Sequence, residues 1–419
     1  MHVLLLALNY WPDQLGNAPL LVGICEGLVA RGHRVSVVCA FPHHETGRIE
    51  APYRGKLFER DHHNGVDILR AYIYAPGLES SGDSSSRLQN GSLSKIANYA
   101  SFTATALAAA ATISKFDVIF TPSPPLTLGL VDQILSTIRG VPFVYNLQDL
   151  FPEAAVRLGV LKNPRVISAF ERLERHVYKR ATRLSVISEG FRRYLLERGV
   201  PDEKIVVIPN YTDTDLIRPE PTAHNAYRHE FNLGDRFVVQ FSGRMGYSQG
   251  LDGVVEAFNS LTDLQDLHLM MVGDGQAREA LERALSGRPN VTLLPTQPRE
   301  RLSSLLSAAD VGLAPLRHGM AGTSVPSKIF GIMASGRPVI AAVDSGSDTD
   351  EMLRTADCGL VVGPEDPAAL AAAIRTLYQD RETARRLGQN GRRHVVEFHS
   401  QGATVDRYER LLTDVVAGR

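Results

Sequence analysis

Short apolar runs alternate with stretches of helical spacing along the whole chain. Residues 3–7 and 35–39 are two such runs. Between them, residues 19–31 place apolar side chains at helical intervals and stop at Gly32-His33. Strand, crossover helix and strand in that order predict a parallel sheet. Further strands are expected at 66–74, 118–121, 143–146 and 184–187, with helices at 126–138 and 164–180. The Ser- and Gly-rich segment 79–94 reads as a loop, mobile at least locally. The Ala-rich segment 96–113 is interrupted by Asn98, Ser101, Thr103, Thr105 and Thr112, which favours a packed helix over a membrane span.

The periodicity breaks at Pro209-Asn210-Tyr211-Thr212-Asp213 and on through Pro219 and Pro221, the composition of a domain boundary. The alternation then restarts, with strands expected at 237–241, 267–272, 291–294, 311–314, 339–342 and 360–362. The expected fold is therefore α/β, with two Rossmann-like doubly wound domains facing a central cleft. The domains are placed at 1–214 and 215–397. Residues 398–419, with an amphipathic helix over 400–416, are expected to pack back toward the first domain. Ligands of open α/β sheets bind outside the carboxyl ends of the strands, so the loops after strands are where chemistry is expected.

A length of 419 residues suits two domains, and 44% apolar with 22% charged residues gives each of them a core. The formal net charge of -1 supplies no global basic field to gather nucleic acid. Cys25, Cys39 and Cys358 sit among apolar neighbours without C-x-x-C spacing, which fits a reducing cytoplasm and argues against a disulfide or zinc framework. The apolar start, residues 1–8, lacks a basic leader and reads as a first buried strand. The pairs His43-His44 and His62-His63 invite a metal reading, but adjacent side chains rarely converge on one ion and no carboxylate cluster accompanies them. No metal site is expected.

Several loops after strands carry candidate groups. Asn9, Tyr10 and Trp11 follow the first strand, and Gly16 precedes a helix start, where backbone N–H groups are free for a ligand. Gln148, Asp149 and Glu153 follow the strand at 143–146; their acceptor oxygens suit sugar hydroxyls or general-base work. In the second half, Arg244 follows Ser242-Gly243, and an arginine there offers paired donors to a diphosphate. Gly273-Asp274-Gly275 resembles a Rossmann fingerprint without its third glycine. The next strand runs into Pro295 rather than an acidic residue, which disfavours NAD. Gly322, Thr323, Ser324, Ser327 and Lys328 crowd a helix start expected near Pro326, with Ser324 as a cap; free N–H groups plus the lysine charge favour phosphate. The bland alternatives are tight turns, capped helices and surface ion pairs. The basic face of Arg172, Arg175, Lys179, Arg180, Arg183, Arg192 and Arg193 is usually a solvated surface and could also rest on anionic lipid.

The motifs Asn9-Tyr10-Trp11-Pro12-Asp13, Arg31-Gly32-His33, Gln148-Asp149, Ser188-Glu189-Gly190-Phe191, Ser242-Gly243-Arg244, Val272-Gly273-Asp274-Gly275, Pro326-Ser327-Lys328 and Ser335-Gly336-Arg337-Pro338 occur in an order and spacing that resembles the family-4 retaining glycosyltransferases of the GT-B fold. The resemblance runs over essentially the whole length, and the branch it most resembles contains colanic acid and O-antigen glycosyltransferases. It implies transfer of a hexose-type sugar from a nucleotide diphosphate sugar, with retention at the anomeric carbon and without metal or other cofactor. It implies a glycan or lipid-linked acceptor in exopolysaccharide-type biosynthesis, with peripheral contact at the cytoplasmic face of the inner membrane. It also implies that Arg244 contacts the donor diphosphate.

The chain departs from the family pattern at four places. The usual lysine five residues after the arginine is Gln249; the paired glutamates fall at Thr323 and Gly331; the usual histidine falls at Gln148. The positive charge that a diphosphate leaving group needs is therefore expected from Arg244 together with Lys328 and the N–H groups of 323–327. Two alternatives stay open: a sugar-nucleotide epimerase or hydrolase on the same fold, and a non-catalytic nucleotide-sugar-binding partner. An NAD oxidoreductase comes last.

Overall fold

The structure is a computed structural model that describes residues 1–13, 16–43, 47–77, 84–157, 161–320 and 326–418. The chain divides into two compact units, Met1–Pro209 with Thr404–Arg419, and Asn210–Ala403.

The first unit is built on eight strands: β1 His2–Ala7, β2 Arg34–Ala40, β3 Phe58–His63, β4 Val66–Ala71, β5 Val118–Ser123, β6 Phe143–Leu147, β7 Arg183–Val186 and β8 Ile205–Val207. Their order across the sheet is β3-β4-β2-β1-β5-β6-β7-β8. Every neighbouring pair is parallel except β3 with β4. Strand β1 and strand β5 are apolar and buried on both faces, as parallel strands under helices must be. The chain order reverses between β1 and β5, so a switch point lies there.

Strand β3 was not expected from the pattern. Its sequence Phe-Glu-Arg-Asp-His-His is polar and half exposed, the composition of a protected sheet edge. Its hairpin turn, Asn64-Gly65, holds both residues at positive φ, and this dipeptide was the available signal. The short β8 was likewise not expected.

The segment expected as a loop at 79–94 is corrected from Ser84 onward, because one continuous helix spans Ser84–Ala111; residues 78–83 lie outside the described residues. The packed second half anchors it through Phe102, Ala106, Ala109 and Ala110, all buried. A helix nucleated there extends backward at little cost through serines that lack a competing fold. Among the described residues, no helix is long and apolar enough to cross a membrane.

The second unit carries β9 Phe237–Ser242, β10 Leu267–Val272, β11 Val291–Leu294, β12 Val311–Pro315, β13 Val339–Ala342 and β14 Gly359–Val362. All pairs are parallel, in the order β11-β10-β9-β12-β13-β14. This is the Rossmann order, with its switch point between β9 and β12. The core on one face joins Phe237, Val239, Phe241, Leu269, Met271 and Leu313 to helices that include Leu251–Asn259 and Pro367–Gln379.

The final helix, Gln401–Val416, belongs to the first unit from Thr404 on. Val405 fills the space above Gly27, where a Cβ would stand 2.7 Å from Val405 Cγ2. Tyr408 is 1% exposed, lies 5.1 Å from the Phe120 ring and accepts a 3.0 Å hydrogen bond from Asn146 Nδ2. Arg31 and His33 hold the outer face of this helix through Asp406 and Glu409.

Tyr408→Ala is therefore expected to destabilise the protein by about 3–5 kcal/mol, as truncation of a buried aromatic does. Tyr408→Phe, which keeps the ring but removes the hydroxyl that Asn146 and Ser185 both hydrogen-bond, is expected to cost about 1–2 kcal/mol. Urea denaturation followed by circular dichroism measures both.

Candidate functional site

In the second unit, the loop after β9 is held by backbone rather than by side chains. Gly243 N–H donates to Val272 O at 2.9 Å and Met245 N–H to Asp274 O at 2.9 Å. The approach is so close that a Cβ on Gly273 would stand 1.9 Å from Gly243 O, and one on Gly275 2.4 Å from Met245 O. Both glycines also hold positive φ, +139° and +149°. Their local reason is this loop-to-loop packing. Asp274 turns away from the loop after β9 and accepts from the Thr296 N–H at 2.8 Å.

Lys328 reaches into this corner. Its helix runs Lys328–Ala334, so it starts two residues later than expected, with Ser327 as an N-cap that makes no side-chain cap bond. Two turns of helix carry a small dipole, and the ammonium itself is the main positive charge there. The amine donates to Gln249 Oε1 and sits 4.1 Å from the centre of the Phe241 ring. A Cβ on Gly243 would lie 3.5 Å from Lys328 Cε, an ordinary contact distance, so the lysine side chain passes directly beside Gly243. Burial pushes the Lys328 amine down to about 7. Gly322, Thr323 and Ser324 lie outside the described residues.

Arg244 is exposed and has no hydrogen bond or ion pair among the described residues. Gln249 ends a short turn, Tyr247–Gln249, whose position is fixed by a residue that the sequence did not single out. Arg317, just past β12, donates to Tyr247 O at 2.7 Å, to Asp252 at 2.9 Å and to Glu365 at 2.6 Å. Its charge is thus spent on two carboxylates, and it acts as a brace. Its place two residues beyond a strand end, in a sheet whose switch point is β9/β12, was the available signal. Tyr247 beside it leaves 69% of its surface exposed.

In the first unit, Gly16 holds φ +66° with open space where its Cβ would be. It directly precedes Asn17, which leads the helix Ala18–Ala30 without a side-chain cap bond. Tyr10, expected on the acceptor side, is corrected to a core residue at 1% exposure. The chain turns inward there because Arg70, wholly buried, donates to Trp11 O at 2.7 Å and to Asp61 at 2.9 Å. Trp11 stacks on His63 with ring centres 4.2 Å apart and stays partly exposed, as does Asn9. The paired histidines diverge: His43 hydrogen-bonds Phe41 O at 2.8 Å, His62 faces Asp67 and His63 faces Glu26; His44 lies outside the described residues.

After β6, Gln148 is buried and donates to Asn146 Oδ1 at 2.7 Å. Asn146 in turn donates to Ser185 Oγ at 2.9 Å, so a polar chain fixes the glutamine. Asp149 keeps an exposed face, yet the protein packed around its carboxyl raises it above the ordinary carboxylate range. Tyr99 lies near enough for Asp149 to help raise its hydroxyl, after burial. Glu153 pairs with Arg198 at 3.4 Å. Two clusters emerge, one per unit: Gln148 with Asp149 after β6, and Lys328 with Gln249 beside Gly243 and Arg244 after β9.

Two family models match the chain. One, described as a glycosyl transferase 4-like domain, matches residues 16–211. The other, described as glycosyl transferases group 1, matches residues 236–380. The glycosyl transferase WcaI of Escherichia coli strain K12, named for colanic acid biosynthesis, is 26% identical over 388 residues, which cover 90% of this chain and 91% of that one. Among solved structures, sucrose-phosphate synthase from Thermosynechococcus elongatus superposes with a TM-score of 0.73 at 20% identity over 100% of both chains. HepE from Anabaena, in complex with UDP, superposes with a TM-score of 0.70 at 18% identity over 99% of this chain and 100% of that one. These likenesses show the GT-B fold.

The two kinds of glycine separate by experiment. Gly273→Ala is expected to destabilise by upwards of about 3 kcal/mol, since backbone must move. Gly16→Ala meets open space and is expected to cost about 1 kcal/mol, from the positive φ alone. Thermal denaturation of the two variants side by side gives the comparison.

Proposed function

This chain belongs to the GT-B glycosyltransferases built from a glycosyl transferase 4-like and a group 1 domain, and we propose that its second unit holds a nucleotide diphosphate sugar. The sugar, of the hexose type, passes to a glycan or lipid-linked acceptor with retention at the anomeric carbon and without a metal. The observation that carries this reading is the Lys328 amine beside Gly243, at the carboxyl end of β9 and hence at the β9/β12 switch point. The solved HepE structures with UDP and with UDP-glucose support a sugar nucleotide as the donor class. The likeness to WcaI supports a role in exopolysaccharide-type synthesis.

The chemistry asks for positive charge where the sugar–phosphate bond breaks, because the departing diphosphate gains charge as it leaves. Arg244 presents an uncommitted guanidinium and Lys328 an ammonium shielded from water on one side by Phe241. Gln148 and Asp149 supply hydrogen-bonding groups toward the acceptor, and the raised carboxyl of Asp149 suits proton exchange near neutral pH. The exposed basic face of Arg172, Arg175, Lys179 and Arg180 is proposed to rest on anionic lipid at the cytoplasmic membrane face. Arg192 is committed to Asp202 and Glu189 and is left out of that face.

A thermal-shift screen against nucleotide diphosphate sugars, followed by transfer assays on hits, tests the donor class. A donor at 100 times its Kd stabilises by about 2.7 kcal/mol. If no sugar nucleotide shifts the melting temperature, the reading is wrong.

Lys328→Ala is expected to lower kcat by about two orders of magnitude, the scale of losing one transition-state donor. Unchanged kinetics would exclude Lys328 from the reaction. The pH dependence has a definite sign. The free amine, held near 7 by burial, is largely neutral above that pH, whereas a bound diphosphate favours the ammonium. Donor binding above pH 7 should therefore take up a proton and weaken as pH rises. Calorimetry in buffers of differing ionisation enthalpy reads the uptake, which Lys328→Ala should abolish.

A further inference from the structure

The amino ends of β9, β12 and β13 open onto a cavity of about 810 Å³, at the pole of the second sheet opposite Lys328. Phe237, Asp310 and Pro338 mark these strand starts. The volume is that of an ordinary small-molecule site. Its charge is lopsided. Arg337, Arg381, Arg385, Arg392 and Arg393 line it, against a single carboxylate, Asp310.

That carboxylate is already committed, to Arg228 Nη2 at 2.6 Å and the Val238 N–H at 2.8 Å. Arg381 is met from outside the cavity by Asp266 at 3.2 Å. The hydrogen bonds of Arg392 and Arg337 to backbone carbonyls orient their guanidiniums without neutralising them. Arg392 donates to Ile217 O at 2.9 Å, Ala334 O at 3.0 Å and Thr214 O at 3.1 Å. Arg337 donates to Ser307 O at 2.6 Å and Glu220 O at 3.3 Å, and its Nε is buried without an acceptor. Burial, helped by the nearby Arg228, depresses the Arg337 guanidinium against the opposing pull of Asp310 and Glu220. Arg385 is exposed on the rim with no hydrogen bond or ion pair among the described residues.

Like charges gathered in a concavity concentrate the field there, and guanidinium forks match phosphate oxygens two at a time. Fixed donors to backbone carbonyls keep Arg337 and Arg392 in place, so part of the ordering cost is met before any ligand arrives. We propose that this cavity is a second ligand site, separate from the donor corner, which takes a multiply charged phosphate compound of the oligophosphate or phosphorylated-metabolite class. A phospholipid headgroup shares that chemistry and is the other source of the same groups.

The test uses full-length protein and inorganic tripolyphosphate as the probe, in low salt, by calorimetric titration. Arg385 and Arg393 lie on the exposed rim, so Arg385→Ser with Arg393→Ser should fold normally, which an unchanged melting temperature checks. The expected result is saturable one-to-one binding that weakens at least tenfold in this double variant and is unchanged in Lys328→Ala. A second arm offers vesicles of phosphatidylglycerol in phosphatidylcholine. Flotation with the vesicles that is lost in the double variant, together with weak tripolyphosphate binding, keeps the phosphate site and assigns it to lipid. Absence of binding in both arms overturns the proposal. So does binding that Lys328→Ala removes and the double variant leaves intact, because the probe would then occupy the donor corner. Tripolyphosphate binding here is independent of sugar transfer, so failure of one reading leaves the other standing.

Discussion

The contact between the backbones at Gly243 and Gly273 is the constraint on which the second unit's chemistry rests. No side chain of any kind fits at 273, because the Gly243 carbonyl occupies the place of its Cβ. Two strand-end loops thereby lock together through main-chain hydrogen bonds, and the surface they present is mostly N–H, C=O and space. That space lets Lys328 lie against Phe241 from a helix that starts well along the chain. Widen the contact by one methyl and the lysine, the turn at Gln249 and the direction of Arg244 all lose their reference.

Charge in this corner is rationed by burial. Arg317 brings a third cation close by, but Asp252 and Glu365 consume it, and its benefit is mechanical: it holds the Tyr247–Gln249 turn. Among the described residues Lys328 hydrogen-bonds no carboxylate, and burial depresses its pKa. The same low-polarity surroundings that make its charge costly when alone would strengthen its attraction for an anion such as the proposed diphosphate. The two effects are one property of the site seen with and without an anion.

Much of this was legible in the sequence, and the exceptions share a cause. The apolar runs located strands such as the wholly buried Leu267–Val272, and the one-faced periodicity of Pro164–Arg180 located that helix, because burial imposes a pattern of apolar positions. Edge strand β3 escaped because its residues are polar, and only its Asn-Gly turn betrays it. The helix from Ser84 escaped because local composition was overruled by anchoring farther along, at Phe102 and Ala106. Among the candidate residues, strand-end position and residue type picked out Arg244, Gln148 and Asp149, and a helix start picked out Lys328. Tyr10 misled because a motif shows which residues stand together, while the inward turn of this one depends on Arg70, sixty positions along. Arg317 carried only a strand-end signal, and its bracing role, like the gathering of the cavity arginines, shows once segments distant in sequence are brought side by side.

Gln249 at the place of a customary lysine is best understood through the atom it presents. A lysine there would repel Lys328, since both amines would compete for the same corner. A glutamate would accept from Lys328 equally well but cancel its charge before any donor arrived. A neutral amide does neither: its oxygen accepts from the Lys328 amine and holds it in position without a carboxylate's opposing charge, so a ligand anion is what would favour the ammonium. Positions 249 and 328 therefore act together in this structure, the amide holding the amine beside Gly243 at the β9/β12 switch point, which is where the proposed reading needs a positive charge.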